Sequence, residues 1–281
     1  MHLTKLHATG NDFLVTREVD PGPKVAAALC DRHTGIGADG LIVLVDGGTE
    51  GADVTMVLRN ADGGVAEMSG NGIRCLAWAA VANGFTGDVL HVDTGGGRRD
   101  VELVRDERGS LVRAICDMGP VTFDPELIPV EEPSALGLEA KVDGETFTGD
   151  AAGMGNPHFV VFVDDVDAAP VRVAGPELEH DERFPRRTNV EFARVLSPES
   201  LQIRIWERGV GETMSCGTGA CASAAVARRR ELVGDRVQVF VPGGVLDVEL
   251  GETIKLGGPV RYVFDAEIDV DAVVASASMA P

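Results

Sequence analysis

Two nine-residue stretches carry the side chains best suited to chemistry. Residues 67–75 read EMSGNGIRC and residues 213–221 read TMSCGTGAC. In each, a small side chain bearing oxygen or sulfur (Ser69, Cys216) precedes Gly-x-Gly and a run rich in small apolar residues. Gly-x-Gly before a buried helix leaves backbone N–H groups without internal partners. Those groups and the helix dipole suit an anion of the size of a carboxylate, and glycine lets the backbone approach it closely. A cysteine at such an N-terminus is expected to have a lowered pKa, and a thiol near neutral pKa is a usable general acid or base. Two such helices, related by an approximate twofold, would hold one carboxylate and set a catalytic group on each side of the neighbouring carbon. That arrangement inverts an α-carbon: one group removes the proton, the other returns one to the opposite face, and the carbanion between is stabilised electrostatically. Taken alone, Ser69 reads as a helix N-cap. Cys216 could be a buried structural thiol, as most free cysteines are, but its flanking glycines and the polar approach ERGVGETMS favour function. Cys75 and Cys221, further along on apolar stretches, read as core.

The elements that must position these residues come in duplicate. A shift of 147 residues lays Ser69 on Cys216, Gly70 on Gly217, Gly72 on Gly219, and Asn60 on Glu207. The same shift lays Gly96-Gly97 on Gly243-Gly244 and DVEL at 100–103 on DVEL at 247–250. With a slip of two, Gly10-Asn11 falls on Gly155-Asn156. Each half has short β-branched strands, such as VTMVL (54–58) and VQVFV (237–241), and one convincing helix. The helices are expected over about 73–82 and 220–232, apolar nearly all round and hence enclosed by protein. The expected fold is α+β: two pseudo-symmetric domains from an internal duplication, each a strand barrel around a central buried helix. The N-terminal half covers 1–118, with 262–275 returning to it, and the C-terminal half covers 119–261. The proline- and acid-rich stretch FDPELIPVEEPSALGLE reads as the connection.

Bulk properties narrow the function. The 281 residues are 44% hydrophobic, enough for two domains with real cores. A net charge of −20, from 45 acids against 25 bases, opposes binding to nucleic acid or to an anionic membrane. Any anion site must be local, built by helix N-termini or one placed arginine. The apolar run LIVLV (41–45) is far too short to span a bilayer, and MHLTKLHATGNDF offers no basic and apolar leader. Five cysteines without disulfide-framework spacing suit the reducing cytoplasm. The four lysines (Lys5, Lys24, Lys141, Lys255) lie in no cofactor motif, so no pyridoxal Schiff base is suggested. The six histidines are scattered, without HExxH or paired CxxC, and no metal is assigned.

The motifs GNDF (10–13), DRHTGIGADG (31–40), RNADG (59–63), EMSGNGIRC (67–75), GNPH (155–158), TNVEF (188–192) and ERGVGETMSCGTGA (207–220) run in order along nearly the whole chain. Through them the sequence resembles the diaminopimelate epimerases. That resemblance implies two pseudo-symmetric domains with the site in the cleft, action on diaminopimelate without pyridoxal phosphate or metal, and a homodimer. It implies that Asn11, Asn60, Asn156, Asn189 and Arg208 hold the amino and carboxylate groups of the substrate, with Arg208 pairing the distal carboxylate bidentately. Gly70, Asn71, Gly217 and Thr218 would give N–H groups to the reacting carboxylate, and Glu207 and His158 would lie beside the reacting amine and thiol. Read without the resemblance, each asparagine is equally a turn former, Asn156 before Pro157 is extended or turned, His158 is structural, and Arg208 is a solvated charge.

One residue departs from the pattern. The family has cysteine where this chain has Ser69, and its mechanism uses two thiols. A hydroxyl is a far weaker acid than a thiol, whose ordinary pKa is about 8.5, and nothing nearby in sequence looks like a base to activate it. Three readings stay open: an engineered substitution, a natural serine compensated by water or another residue, or shifted chemistry, as in a one-thiol amino-acid lyase or racemase of the same fold. A binding protein that merely keeps the cleft ranks behind these.

Overall fold

A computed structural model describes residues 1–277. The chain divides into two compact units, residues 1–116 together with 258–277, and residues 117–257. The first unit contains β1 (His2–Ala8), β2 (Asn11–Thr16), α1 (Pro23–Cys30), β3 (Gly40–Asp46), β4 (Val54–Asn60), β5 (Val65–Ala66), α2 (Gly70–Ala82), β6 (Val89–Thr94), β7 (Gly97–Arg105) and β8 (Leu111–Asp117). The second contains β9 (Leu138–Val142), β10 (Glu145–Gly153), β11 (Pro157–Phe162), α3 (Val171–Glu179), β12 (Asn189–Ser197), β13 (Ser200–Glu207), β14 (Gly211–Thr213), α4 (Gly217–Arg229), β15 (Arg236–Val241), β16 (Gly244–Leu250) and β17 (Ile254–Gly258). The chain then returns to the first unit as β18 (Arg261–Glu267) and α5 (Val270–Ala277).

Strand pairing makes the duplication explicit. In the first unit the order is β18, β1, β2, β3, β4, β6, β7, β8, with β2–β3 and β4–β6 parallel and the other neighbours antiparallel. In the second the order is β9, β10, β11, β12, β13, β15, β16, β17, with β11–β12 and β13–β15 parallel and the rest antiparallel. Each unit adds one short hairpin strand, β5 on β4 and β14 on β13. The counterpart of β9 is β18, so the last strand of the chain completes the first unit.

Each unit closes on a helix of small residues. Helix α2, GNGIRCLAWAAVA, lies against β1, β2, β3, β4 and β7, and α4, GTGACASAAVARR, lies against β10, β11, β12, β13, β15 and β16. Both are buried on nearly every face, including the guanidinium-bearing Arg74. Glycine and alanine keep these helices slim, so the strands can pack round them. Both helices start three residues earlier than sequence periodicity suggests. Gly-x-Gly forms the first turn instead of preceding it, because tertiary packing overrides the poor helix propensity of glycine. Shorter helices accompany the central one in each unit. Helix α1 opens on Pro23 after Gly22, whose φ is +84°, and α3 carries Pro176 in its interior, which hides its helical pattern. Strands such as β9 and β15 alternate buried and exposed positions, giving one face to the core. In the second unit that core gathers Phe147, Phe159, Phe184 and Phe192, with Phe147 and Phe192 edge to face at 6.0 Å. Among the described residues no helix is long and apolar enough to cross a membrane.

Candidate active site

In the second unit, the start of α4, the end of β13 and the starts of β11 and β12 bring a thiol, two carboxyls and an imidazole together. Cys216 occupies the N-cap position of α4 in extended conformation, and its sulfur lies 3.4 Å from Thr218 Oγ1. Glu207, the last residue of β13, lies beside the Cys216 thiol and accepts from Thr213 Oγ1 at 2.5 Å. Burial raises the Glu207 pKa, and the Glu191 charge adds to this, while the bonds from Thr213 and Cys216 and the neighbouring His158 oppose it.

The thiol itself departs from expectation. Burial pushes the Cys216 pKa well above 9.0, and the charges of Glu207 and Glu191 push in the same direction. The Thr218 hydroxyl and the Gly219 N–H favour the thiolate but do not prevail. A helix N-terminus lowers a thiol pKa where the sulfur is solvated or faces cations; here it is enclosed and faces carboxylates. In this state Cys216 is a protonated thiol.

His158 and Glu191 are completely buried, with Nδ1 donating to Glu191 Oε1 at 2.7 Å and Nε2 facing Asn156 Oδ1 at 2.9 Å. The parallel pairing of β11 with β12 sets His158 opposite Asn189, and Glu191 lies two residues on, hence on the same face of β12. Asn189 is also buried, and both ends of its amide are spent on backbone. Its Nδ2 donates to Pro157 O at 2.9 Å, and its Oδ1 accepts from the Arg208 N–H at 2.9 Å. In this structure Asn189 ties the GNPH turn to the ERG turn. Arg208 is exposed, with Nη1 donating to Arg186 O at 3.0 Å.

In the first unit, Ser69 is the N-cap of α2, with φ −142° and ψ 122°, and its Oγ accepts the Gly72 N–H at 3.0 Å. Asn71 in the first turn donates through Nδ2 to Asn11 Oδ1 at 3.2 Å, and Asn11 Nδ2 donates to Asp39 Oδ2 at 2.5 Å. Behind Asn71, Arg74 Nη2 donates to its Oδ1 at 2.7 Å and to Thr9 Oγ1 at 3.3 Å. The asparagine amides therefore point in one sense, from buried guanidinium to carboxylate. Asp39 also takes Arg32 at 2.8 Å, and Asp12 is flanked by Lys5 at 2.8 Å and Arg32 at 2.6 Å. Burial alone would raise the Asp12 pKa, but the hydrogen bonds and charges of Arg32 and Lys5 lower it to about 2. Asn60 is exposed at the end of β4, where its backbone closes a turn with Gly63 and Gly64. Gly70 and Gly217 are buried as the first residues of α2 and α4.

Sequence reasoning about the site overlooks Glu191, Thr213 and Asp39. The signal for Glu191 is its place in TNVEF, two residues after Asn189. The other two carry no pattern beyond their nearness to GETMS and GADG. Among the described residues no group of three or more His, Cys, Asp or Glu side chains is arranged to hold a metal ion.

Comparison with known proteins agrees across most of the chain. Residues 3–123 and 151–263 match the family model described as diaminopimelate epimerase. A diaminopimelate epimerase of Pelotomaculum thermopropionicum is 43% identical over 279 residues, covering 95% of this chain and 98% of that protein. One of Moorella thermoacetica is 41% identical over 282 residues, covering 96% of this chain and 100% of that protein. Among solved structures, a probable proline racemase from Agrobacterium radiobacter K84 with bound carbonate aligns with TM-score 0.73 at 15% identity, over 95% of this chain and 92% of that one. A hydroxyproline epimerase from Agrobacterium vitis with bound trans-4-hydroxy-L-proline aligns with TM-score 0.69 at 17% identity, over 99% of this chain and 98% of that one. At such identities these structures speak for the fold alone.

Proposed function

The chain belongs to the diaminopimelate epimerase family and is an isomerase, and on that premise we propose that it interconverts LL- and meso-diaminopimelate without a cofactor, by proton transfer at the α-carbon. The observation that carries this is the Cys216 thiol at the N-cap of α4, 3.4 Å from Thr218 Oγ1 and beside the buried carboxyl of Glu207. Cys216 acts on one face of the α-carbon. As base it passes its own proton to Glu207, whose raised pKa suits that exchange, and then takes the α-proton. As acid it reverses the step. The N–H groups of Gly217 and Thr218, and of Gly70 and Asn71, receive the reacting carboxylate and the charge that develops beside it. Asn11 and Asn156 address the amino group, together with Asn60 and the carboxyl of Glu207. Arg208 takes the distal carboxylate bidentately, and Asn189 serves by holding the Arg208 backbone. His158, fixed by Glu191, sustains the electrostatics around the thiol.

Ser69 stands where the opposite face needs its acid or base. Its Oγ lone pair is engaged by the Gly72 N–H, and a hydroxyl is a far weaker acid than a thiol, so Ser69 is a poor base. The reading therefore includes slow and asymmetric inversion, with exchange on the Cys216 face outrunning return on the other. The same capping bond favours a second reading, a one-thiol lyase or racemase acting on another amino acid. The intact ERG and TNVEF motifs weigh against it, because such an enzyme has no use for a distal-carboxylate clamp. With the first reading go a place in lysine and peptidoglycan precursor synthesis, a cytoplasmic location and a homodimer.

The test is to incubate LL- and meso-diaminopimelate separately with the protein in deuterium oxide, following α-proton exchange by NMR and interconversion by chiral chromatography. Exchange that Cys216→Ala abolishes supports the proposal. No exchange with either isomer, or exchange undiminished in Cys216→Ala, refutes it.

A further inference from the structure

Glu179 is the last residue of α3, and it is 97% buried, with 3% of its surface exposed. A carboxylate there opposes the helix dipole, and burying it is costly unless it is fully hydrogen-bonded. Helix stability therefore does not explain it. Its oxygens are spent on one hairpin instead. Oε2 accepts the Trp206 indole N–H at 2.8 Å, and Oε1 accepts the Gly209 backbone N–H at 2.9 Å. Arg187 Nη1 lies 3.6 Å from Oε1, and the Glu179 carbonyl accepts the Thr188 N–H at 3.2 Å.

These bonds bracket Arg208. Trp206 lies two residues before it and Gly209 one after, and Gly209 turns the chain with φ +75°. The Arg208 N–H is held by Asn189, and its side chain by the carbonyl of Arg186, next to Arg187 at φ +59°. Gly175 lies one helical turn before Glu179 and faces the same way. A β-carbon at Gly175 would stand 2.7 Å from Trp206 Cγ, so α3 lies flat on the indole and Glu179 closes over its edge. Slot and carboxylate belong to one helix face, and both are shaped to the Trp206–Gly209 segment.

We infer that Glu179 is a positioning residue that acts through Arg208, locking the Trp206–Gly209 hairpin so that the guanidinium meets the far carboxylate of a two-ended amino acid. This rests on the substrate reading above. Glu207 lies within the same segment, but its carboxyl is held separately by the Thr213 hydroxyl on β14, so a loosened hairpin misplaces the exposed Arg208 first, and selectivity for two-ended substrates is lost before turnover.

The test compares Glu179→Gln and Trp206→Phe with the unaltered protein on meso-diaminopimelate. Glutamine can accept one of the two N–H groups but turns its own NH2 toward the other. Phenylalanine keeps a ring over Gly175 and removes only the donor. A bond to a charged acceptor is worth roughly a tenfold or larger factor. Glu179→Gln is thus expected to raise KM about tenfold with kcat within about threefold, and Trp206→Phe to raise it less. Two readouts need no turnover: the NMR position of the Trp206 indole N–H, and the rate at which trypsin cuts after Arg208. Both change in Glu179→Gln if the carboxylate locks the hairpin. A folded Glu179→Gln protein with unchanged KM, or with kcat alone reduced, overturns the inference, as do an unmoved indole signal and unchanged trypsin cutting. An unaltered protein inert toward diaminopimelate, with both hairpin readouts shifted in the variant, would remove the substrate assignment and leave the lock standing.

Discussion

A β-carbon on Gly219 would stand 2.6 Å from Glu191 Oε1. The second glycine of the turn at α4 is therefore needed to admit a buried carboxylate, the one that holds His158 at 2.7 Å. At an ordinary helix position, Gly→Ala gains up to about 1 kcal/mol. Gly219→Ala is expected to lose roughly 1–3 kcal/mol, because Glu191 and His158 have no room to retreat. The matching Gly72 is less tightly held, with its nearest contacts at 3.2 Å to Ser69 Cβ and 3.3 Å to Ile42 Cδ1, so Gly72→Ala should cost less. Urea denaturation of the two variants checks the order, and a stabilised Gly219→Ala would refute the account.

Cys216 should resist alkylation at neutral pH. Burial and the charges of Glu207 and Glu191 keep it protonated, and only the thiolate reacts. The rate of iodoacetamide labelling, mapped by mass spectrometry, should rise only above pH 9.0. Glu207→Gln removes one raising charge, so its labelling profile should shift to lower pH. Cys75, pushed to about 12 by burial, should not compete. Rapid labelling of Cys216 at pH 7 would contradict this description.

Glu207→Gln should trade activity for stability. The folded-state pKa of Glu207 is raised above 4.5, chiefly by burial. Below pH 4.5 both states hold the proton and the carboxyl costs nothing. As pH rises toward the folded-state pKa, ionisation favours the unfolded chain and the cost grows. The variant should therefore match the unaltered protein at pH 4 and melt higher at pH 7. Loss of the proton partner of Cys216 should cut kcat on the order of 10²-fold or more. A variant less stable at pH 7 than at pH 4, relative to the parent, would reverse the sign and sink the argument.

The duplication is legible in the sequence because turns and hydrophobic strands repeat at one offset, and the same order of parallel and antiparallel neighbours recurs in both units. The crossing of β18 back into the first unit has no counterpart in that offset, since the strand it mirrors, β9, lies between the repeats. The chemistry of Cys216 is only half legible. Its place at a helix start follows from Gly-x-Gly, but its protonation depends on Glu191 and Glu207, which approach from other strands. Glu179 and Glu191 read in sequence as ordinary solvated acids, because nothing local marks a carboxylate that the fold will bury. Asn189 reads as a ligand-facing amide only through the resemblance, and its bonds to two backbone turns exist only once β11, β12 and β13 are side by side.

Asp12 should support the first unit in a pH window that its pKa defines. Its carboxyl is lowered from 3.8 to about 2 while held between Lys5 and Arg32. A depressed acid contributes its stability above the unfolded value and loses it as pH falls through the folded one. The difference corresponds to about 2 kcal/mol at neutral pH. Asp12→Asn should lose roughly that much at pH 7, and the gap to the parent should close between pH 4 and pH 2. Chemical denaturation at three pH values checks it, and a gap that persists at pH 2 would assign the effect to packing.

Ser69→Cys should cost stability and restore function. The hydroxyl caps α2 by accepting the Gly72 N–H at 3.0 Å, and a lost cap costs about 1 kcal/mol. On the proposed epimerase reading, the new thiol supplies the acid or base for the second face of the α-carbon, worth on the order of 10²-fold or more in rate. Interconversion of LL- and meso-diaminopimelate should therefore accelerate strongly, and α-proton exchange from the two isomers should become more nearly equal. Ser69→Ala removes the cap without adding a thiol. It should lose the same stability and leave exchange on the Cys216 face almost unchanged. If Ser69→Cys gives no gain while Ser69→Ala abolishes exchange, the serine hydroxyl is itself the working group, and the second face is served by a proton path through Ser69.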